Sequence, residues 1–390
     1  MTESMPAPLL SGVTIVDLSH VLAGPFATMT LANLGARVIK VEIPGAGDDS
    51  RAFGPFRNGK SLYFSAINCN KESIALNLKA PEDRALLDAM LAKADVVVEN
   101  FRPGTMERLG LGWETLHARF PRLIYGAASG FGTNGPLAQC AAYDMVVQGM
   151  GGIMSLTGPE GGPPVRVGAS VGDLAAGLYL AIGLNAALYR RAVSGVGCKL
   201  DIAMLDCQVA LLEDAIVRCA EAGRAPAPHG TRHPSIAPFQ TYRASDRPMV
   251  IAAANDRLFA RLAQALGRPE WAQDPRFLTN TLRHRNVDAL EKEMESVLAG
   301  ATSARWIAVL TEAGVPCGPV NDVAAMMAEP QVAARNMIVT VDDPVAGPIP
   351  VAGNPIKVVG LEEPKTFRPA PALDADRNAL LREFAPDASR

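Results

Sequence analysis

The chain has 390 residues, enough for two or three domains and a sizeable core. Hydrophobic residues make up 48% and charged residues 20%, which excludes a disordered or supercharged chain. Lys+Arg 37 against Asp+Glu 40 leave a net charge of −3, unlike a generally basic nucleic-acid binder, although a local cationic groove stays open. The six cysteines (Cys69, Cys140, Cys198, Cys207, Cys219, Cys317) form no CxxC or close pair. They read as reduced thiols of a cytoplasmic protein, not as a disulfide frame or zinc site. Met1-Thr2-Glu3-Ser4 does not lead into an apolar stretch, so no signal peptide is expected. The longest uncharged run, 123–143, is broken by Gly130, Gly132, Asn134, Gly135 and Pro136, and the more apolar run 174–189 is too short to span a bilayer. A soluble chain with neither membrane nor nucleic-acid partner is expected.

In chain order, Thr14-Ile15-Val16-Asp17-Leu18 reads as a buried strand, Gly24-Pro25 breaks the loop after it, and 26–34 reads as a helix stopped by Gly35. A second strand covers 37–42, and a helix over 81–94 feeds the apolar run Val96-Val97-Val98 and the loop Asn100-Phe101-Arg102-Pro103-Gly104. Strands alternating with helices predict a parallel sheet, with ligands near the carboxyl ends of its strands. Residues 149–172 are rich in glycine and proline and predict irregular backbone. The 173–191 segment then reads as one long helix, apolar nearly all round and therefore buried, with Asp173 at its start and Arg190-Arg191 at its end. An Ala/Pro-rich stretch over 224–238 suggests a linker. A second unit follows, with a strand over 249–254 and helices near 255–267, 286–299 and 303–314. A last helix is expected near 374–384.

Several tempting chemistries fail on spacing. The loop Ser19-His20-Val21-Leu22-Ala23-Gly24-Pro25 follows a strand, and Glu42 closes the next one, but no G-x-G-x-x-G is present to cradle a pyrophosphate. His20 alone reads equally as a hydrogen-bonded loop histidine. His229 and His233 are four apart, yet Gly230 and Pro234 argue against the helix that a metal pair would need. No G-x-S-x-G elbow anchors a hydrolase triad. Asp173 stands out because it opens an apolar helix after a glycine-rich stretch. It reads as an N-cap worth ~1 kcal/mol, or as a carboxylate nucleophile that the helix N-terminus keeps ionised. Arg102 and Arg108 flank a helix start where they could meet phosphate, although surface arginines are common.

A longer series of motifs carries more weight. It runs Gly12-Val13-Thr14-Ile15-Val16-Asp17 with the His20 loop, then Leu34-Gly35-Ala36 with Val38-Ile39-Lys40-Val41-Glu42. Next come Asn70-Lys71, Ser73-Ile74, Leu76-Asn77-Leu78-Lys79, Asp95, Val97 and Glu99-Asn100-Phe101-Arg102-Pro103-Gly104. Arg108-Leu109-Gly110, Ser129-Gly130-Phe131-Gly132, Gly135-Pro136, Gly172-Asp173 and Gly314-Val315-Pro316-Cys317-Gly318-Pro319-Val320 complete it. In order and spacing, over nearly the whole chain, this resembles the class III (formyl-CoA transferase-like) family of CoA transferases, which also contains 2-methylacyl-CoA racemases.

The resemblance implies an α/β fold. A Rossmann-like large domain (1–200, completed by 345–390) and a smaller α+β domain (225–325) would be joined by linkers over 201–224 and 326–344. The ring-shaped chain would form an interlocked homodimer. It implies Asp173 as the nucleophile of CoA transfer from a succinyl-CoA-like donor to a free carboxylic acid, expected to be dicarboxylic, through an aspartyl-CoA thioester. CoA is then expected against His20, Val21, Leu22 and Ala23; Leu76, Asn77, Leu78 and Lys79; Asn100, Phe101, Arg102 and Arg108; and Ala141, Ala142, Tyr143 and Asp144. No metal is expected. Two departures are visible: Ile43 stands where the family pattern has an arginine, and Gly230-Thr231-Arg232-His233-Pro234 occupies the region of a glycine-rich lid. Arg232 there is a candidate partner for the second carboxylate of a dicarboxylic substrate. The racemase branch carries a histidine where Tyr143 stands, and a phenol, which ordinarily ionises only near pH ~10, is a poor proton shuttle. A non-catalytic acyl-CoA-binding protein would lose Asp173. Transferase is therefore the reading favoured over both.

Overall fold

The computed structural model describes residues 7–384. Its centre is a six-stranded sheet built from β1 (Thr14–Asp17), β2 (Arg37–Glu42), β5 (Lys71–Ala75), β6 (Val96–Glu99), β7 (Ile124–Ser129) and β8 (Lys199–Ala203). The hairpin β3 (Phe56–Arg57) and β4 (Lys60–Ser61) lies outside it. Every pairing in the sheet is parallel, in the order β5-β2-β1-β6-β7-β8. Counted within the sheet, this is the 3-2-1-4-5-6 order of a doubly wound fold. β1, β2 and β6 are short β-branched-rich runs without alternation, such as Val96-Val97-Val98, all three fully inaccessible, as expected where helices cover both faces.

Two contact units are present. The larger runs to Met154, resumes over Arg166–Val217 and takes in the chain from Pro330 onward; the smaller combines Ser155–Val165 with Arg218–Glu329. In the larger unit the C-terminal hairpin β12 (Ile338–Asp343) and β13 (Gly347–Ala352) buries Val339, Val341, Ile349 and Val351 with Cys69. Helix Arg377–Phe384 returns to the sheet edge, where Arg37 bonds both Glu72 and Glu383. The smaller unit carries the antiparallel sheet of β9 (Phe239–Arg243), β10 (Pro248–Ala252) and β11 (Cys317–Pro319). Its core gathers Trp271, Phe259, Phe277 and Met294 around the amphipathic helices Asp256–Ala265 and Val287–Leu298.

Two expectations change. Segment 201–224, read as a linker, holds the end of β8 and helices Met204–Ala210 and Ala215–Ala222. The long helix covers Val171–Ser194, 24 residues, and is long and apolar enough to cross a bilayer by length alone. It is also not buried all round. Leu180, Leu184 and Ala187 face the core, whereas Leu178, Ile182, Tyr189 and Val193 are 48%, 63%, 75% and 76% exposed. All six cysteines are free thiols.

Ion pairs buried beneath the sheet's carboxyl edge hold this frame. Lys71 Nζ sits 2.9 Å from Asp17 Oδ2 with both side chains fully inaccessible, and also donates to Pro25 O and Asn68 Oδ1. Lys71→Met leaves Asp17 without its salt-bridge partner, so unfolding free energy should fall by about 3–5 kcal/mol in a denaturant titration. A loss under about 1 kcal/mol would remove the pair from the stability of the fold.

Candidate active site

The sheet's winding reverses at β1, so the loops after β1 and β6 splay apart and leave a crevice at the strand ends. Two clefts open there. One, of about 360 Å³, is lined by His20, Val21, Leu22 and Ala23 after β1, Asn100, Phe101 and Arg102 after β6, and Ala141, Ala142 and Tyr143. Asp173 is in the same wall. The other, of about 510 Å³, is lined by Leu76, Asn77, Leu78 and Lys79 after β5 and by Glu42, Ile43, Asp48 and Asp49 after β2. His20, Phe101 and Thr105 belong to both. A further cavity of about 450 Å³ is lined by Asn33, Arg37 and Arg368 and holds none of the expected site residues.

The shared loop is shaped by side chains below it. Asn100 clamps His20 at both backbone atoms, accepting from its N–H and donating to its carbonyl, each at 2.8 Å. The His20 ring stacks on Phe101 with centroids 5.6 Å apart, and its Nδ1 is 3.5 Å from Asp49 Oδ2. Phe101 N–H in turn donates to Glu99 Oε2 at 2.8 Å. Burial pushes this carboxyl up to about 7. Asn100 is thus a scaffold residue as much as a cleft residue. Leu76 is core, whereas Lys79 and Arg102 are exposed on the cleft rims.

Asp173 is the third residue of its helix, and Ser170 occupies the cap position. Among the described residues its carboxylate has no hydrogen-bond partner, so the N-cap reading fails. Burial, and then the nearby Asp144 charge, push it up to about 7. This corrects the expectation that the helix N-terminus alone keeps it ionised. Asp144 lines neither cleft. It is buried beneath the helix start, where Oδ1 accepts Gly172 N–H and Oδ2 accepts Gln148 Nε2–H, both at 2.8 Å, with Arg166 Nη2 3.8 Å away. Gly172 has no room for a side chain, since a Cβ would lie 2.7 Å from Val147 and 3.0 Å from Asp144 Oδ1. Gly177, one turn on, lets the helix sit against the Ala23 carbonyl, which a Cβ would meet at 2.8 Å. Loop 20–23 and Asp173 are therefore held on facing elements.

Two more expected residues lie elsewhere. Arg108 is outside both clefts and bonds Thr105 Oγ1 at 2.8 Å. Arg232, in the smaller unit, pairs with Glu291, with Asp288 at 2.7 Å and with Glu160 at 3.6 Å. Three carboxylates already match its charge, so it is not a free cation for a second substrate carboxylate. His233 stacks on Phe239, and among the described residues no cluster of metal-ligating side chains forms. One residue was missed. Burial raises the Tyr63 pKa, and among charges Asp173 adds most to the rise, followed by Asp48 and Asp144. No motif marks Tyr63, because its place depends on the turn from β4 into helix Leu62–Ile67.

The family model for CoA-transferase family III matches residues 10–377. An acetyl-CoA:oxalate CoA-transferase of Acetobacter aceti is 47% identical over 99% of both chains. A human succinyl-CoA:glutarate CoA-transferase is 38% identical over 96% of this chain and 85% of its own. The crystal structure of a CAIB/BAIF family protein from Brucella suis superposes with a TM-score of 0.85 at 39% identity, covering 97% of this chain and all of that one. With a parallel sheet, a crevice at its switch point and likeness along its whole length, this chain belongs to CoA-transferase family III and is a CoA transferase.

Proposed function

We propose that the protein moves CoA from a succinyl-CoA-like donor to a free dicarboxylic acid through covalent intermediates on Asp173. The observation that carries this is the Asp173 carboxylate, free of hydrogen bonds in the wall of the cleft. It attacks the thioester carbonyl and expels CoA thiolate, leaving an acyl–aspartyl anhydride. The thiolate then attacks the Asp173 carbonyl, which releases the donor acid and leaves an aspartyl-CoA thioester. The acceptor carboxylate repeats the two steps in reverse and restores Asp173. Every nucleophile and leaving group is a carboxylate or a thiolate, so no proton has to move. That suits a site where no histidine or lysine acts on Asp173 and only Asp144 does. Relatives that transfer CoA to oxalate and to glutarate support a dicarboxylic acceptor.

CoA fits the two clefts joined at His20 and Phe101, against the expected residues 20–23, 76–79, 100–102 and 141–143 that line them. The protein is further proposed to be a cytoplasmic homodimer of interlocked rings. Free cysteines support a reducing compartment, and the stripe Leu178, Ile182, Tyr189 and Val193 supports a second copy covering the long helix.

Hydroxylamine added with succinyl-CoA should trap Asp173 by mass spectrometry, and Asp173→Ala should abolish exchange; near-normal exchange by that variant would end the aspartyl mechanism. Because a protonated Asp173 cannot attack, kcat/KM for the donor should fall by about tenfold per pH unit below about 7. A profile flat from about pH 5.5 to 7.5 would contradict this. Sedimentation velocity should show a dimer that does not dissociate on dilution, since interlocked rings separate only by unfolding. A 2-methylacyl-CoA in D₂O should gain no enzyme-dependent α-deuterium; fast incorporation would favour the racemase branch.

A further inference from the structure

We propose that Asp48, which touches no reacting atom, is the positioning residue that fixes the backbone of the loop facing Asp173. Val21 has φ 65°, left-handed backbone that a β-branched residue adopts only under constraint. Its N–H donates to both Asp48 oxygens, at 3.1 and 3.3 Å. The same carboxylate receives Lys40 Nζ at 2.7 Å, Ser50 N–H at 2.8 Å and Ser50 Oγ–H at 2.6 Å. Lys40 also donates to the Ser19 carbonyl at 2.8 Å. Three successive loop residues are thus tied down: Ser19 by Lys40, His20 by Asn100 and Val21 by Asp48.

The left-handed turn has a geometric purpose. β1 ends at Asp17 and the next helix begins at Ala23, whose carbonyl is wedged against Gly177 on the Asp173 helix. With both ends pinned, five residues must make the connection. A Val21 relaxed to negative φ would displace His20 and Leu22, both in the wall that Asp173 shares. Among the described residues the Val21 N–H has no acceptor other than Asp48.

This proposal rests on Asp173 as the reacting group, and its test is scored apart from Asp173→Ala. The assay uses the donor and acceptor pair with the highest wild-type rate. Lys40→Met with Asp48→Ala removes both buried charges together, so neither is orphaned. The pair variant should keep its fold by melting but lose kcat by about tenfold or more, with the KM for the donor changed by less than about threefold. Adding Val21→Gly, which takes φ 65° without steric cost, should recover at least about threefold of that kcat. A purely structural ion pair predicts no such recovery, because glycine only adds freedom to the unfolded chain. Should the pair variant not fold, Asp48→Asn, which keeps an acceptor for Val21, should exceed Asp48→Ala in kcat by about fivefold. A kcat within about twofold of wild type in the pair variant, no recovery with Val21→Gly, or equal kcat for the Asn and Ala variants would each overturn the assignment. If Asp173→Ala retains exchange while the Val21→Gly recovery appears, the aspartyl mechanism fails and the loop assignment stands.

Discussion

The carboxyl edge of the parallel sheet is organised by charges that water never reaches. Asp17, Lys40, Asp48 and Lys71 have side chains at most 1% exposed, and Glu42, paired with Arg51 at 2.7 Å, joins them by accepting the Asp48 N–H at 3.0 Å. Burial alone would drive such groups neutral. Burial does oppose the charge on Asp17, but Lys71, Lys40 and the hydroxyls of Ser19 and Thr28 hold its pKa below the usual carboxylate range. Glu42 follows the same balance with Arg51 and Ser73. Bonds of this network end on Ser19 and Val21 of the loop after β1, so its geometry fixes that border of the crevice. A hydrophobic floor of the same volume could be as stable, but it would supply no directional acceptors for the Ser19, Val21 and Ser50 N–H groups.

What the sequence made legible follows from periodicity and from motif order. β1, β2, β6 and the helices Pro81–Lys93, Val287–Leu298 and Ser303–Glu312 fall within a few residues of their expected places, since each has a clear apolar pattern. β7 was hidden in an uncharged run that reads only as apolar and glycine-rich, and β8 (Lys-Leu-Asp-Ile-Ala) looks polar because the edge strand keeps Asp201 exposed. The clefts gathered nearly every residue named for CoA. The exceptions share one cause. Asp144, Arg108 and Arg232 are charged residues whose partners are distant in sequence or set by local backbone, and a motif shows the charge but not what answers it. Gly172 N–H answers Asp144, and Glu291 with Asp288 answers Arg232. The long helix was misjudged for another reason. An apolar run nearly all round gives no period from which to tell the face that packs on the core (Leu180, Leu184, Ala187) from the one left exposed (Leu178, Ile182, Tyr189, Val193).

The placement of Asp144 explains why Asp173 is poised and not simply acidic. A carboxylate in the first turn of a helix, with free N–H groups nearby, is ordinarily stabilised as the anion. Here Asp144 takes the Gly172 N–H, so one of those donors is spent on a neighbouring negative charge. Asp173 is left half-buried, without a hydrogen bond among the described residues and beside that charge, and burial together with Asp144 pushes its pKa up to about 7. A strongly solvated carboxylate would be a poor nucleophile towards a thioester and too good a leaving group from the anhydride. In the aspartyl mechanism proposed above, raising its basicity towards neutrality would strengthen its attack while leaving much of it ionised at neutral pH. The same neighbour adds specificity of position. Asp144, itself in helix Asp144–Met150 and steadied there by Gln148, ties that helix to the start of the Asp173 helix through the Gly172 N–H, so Asp173 cannot shift without breaking a bond to a buried carboxylate. One acidic residue thus sets both where the Asp173 carboxylate stands and how basic it is, and it does so from below the cleft.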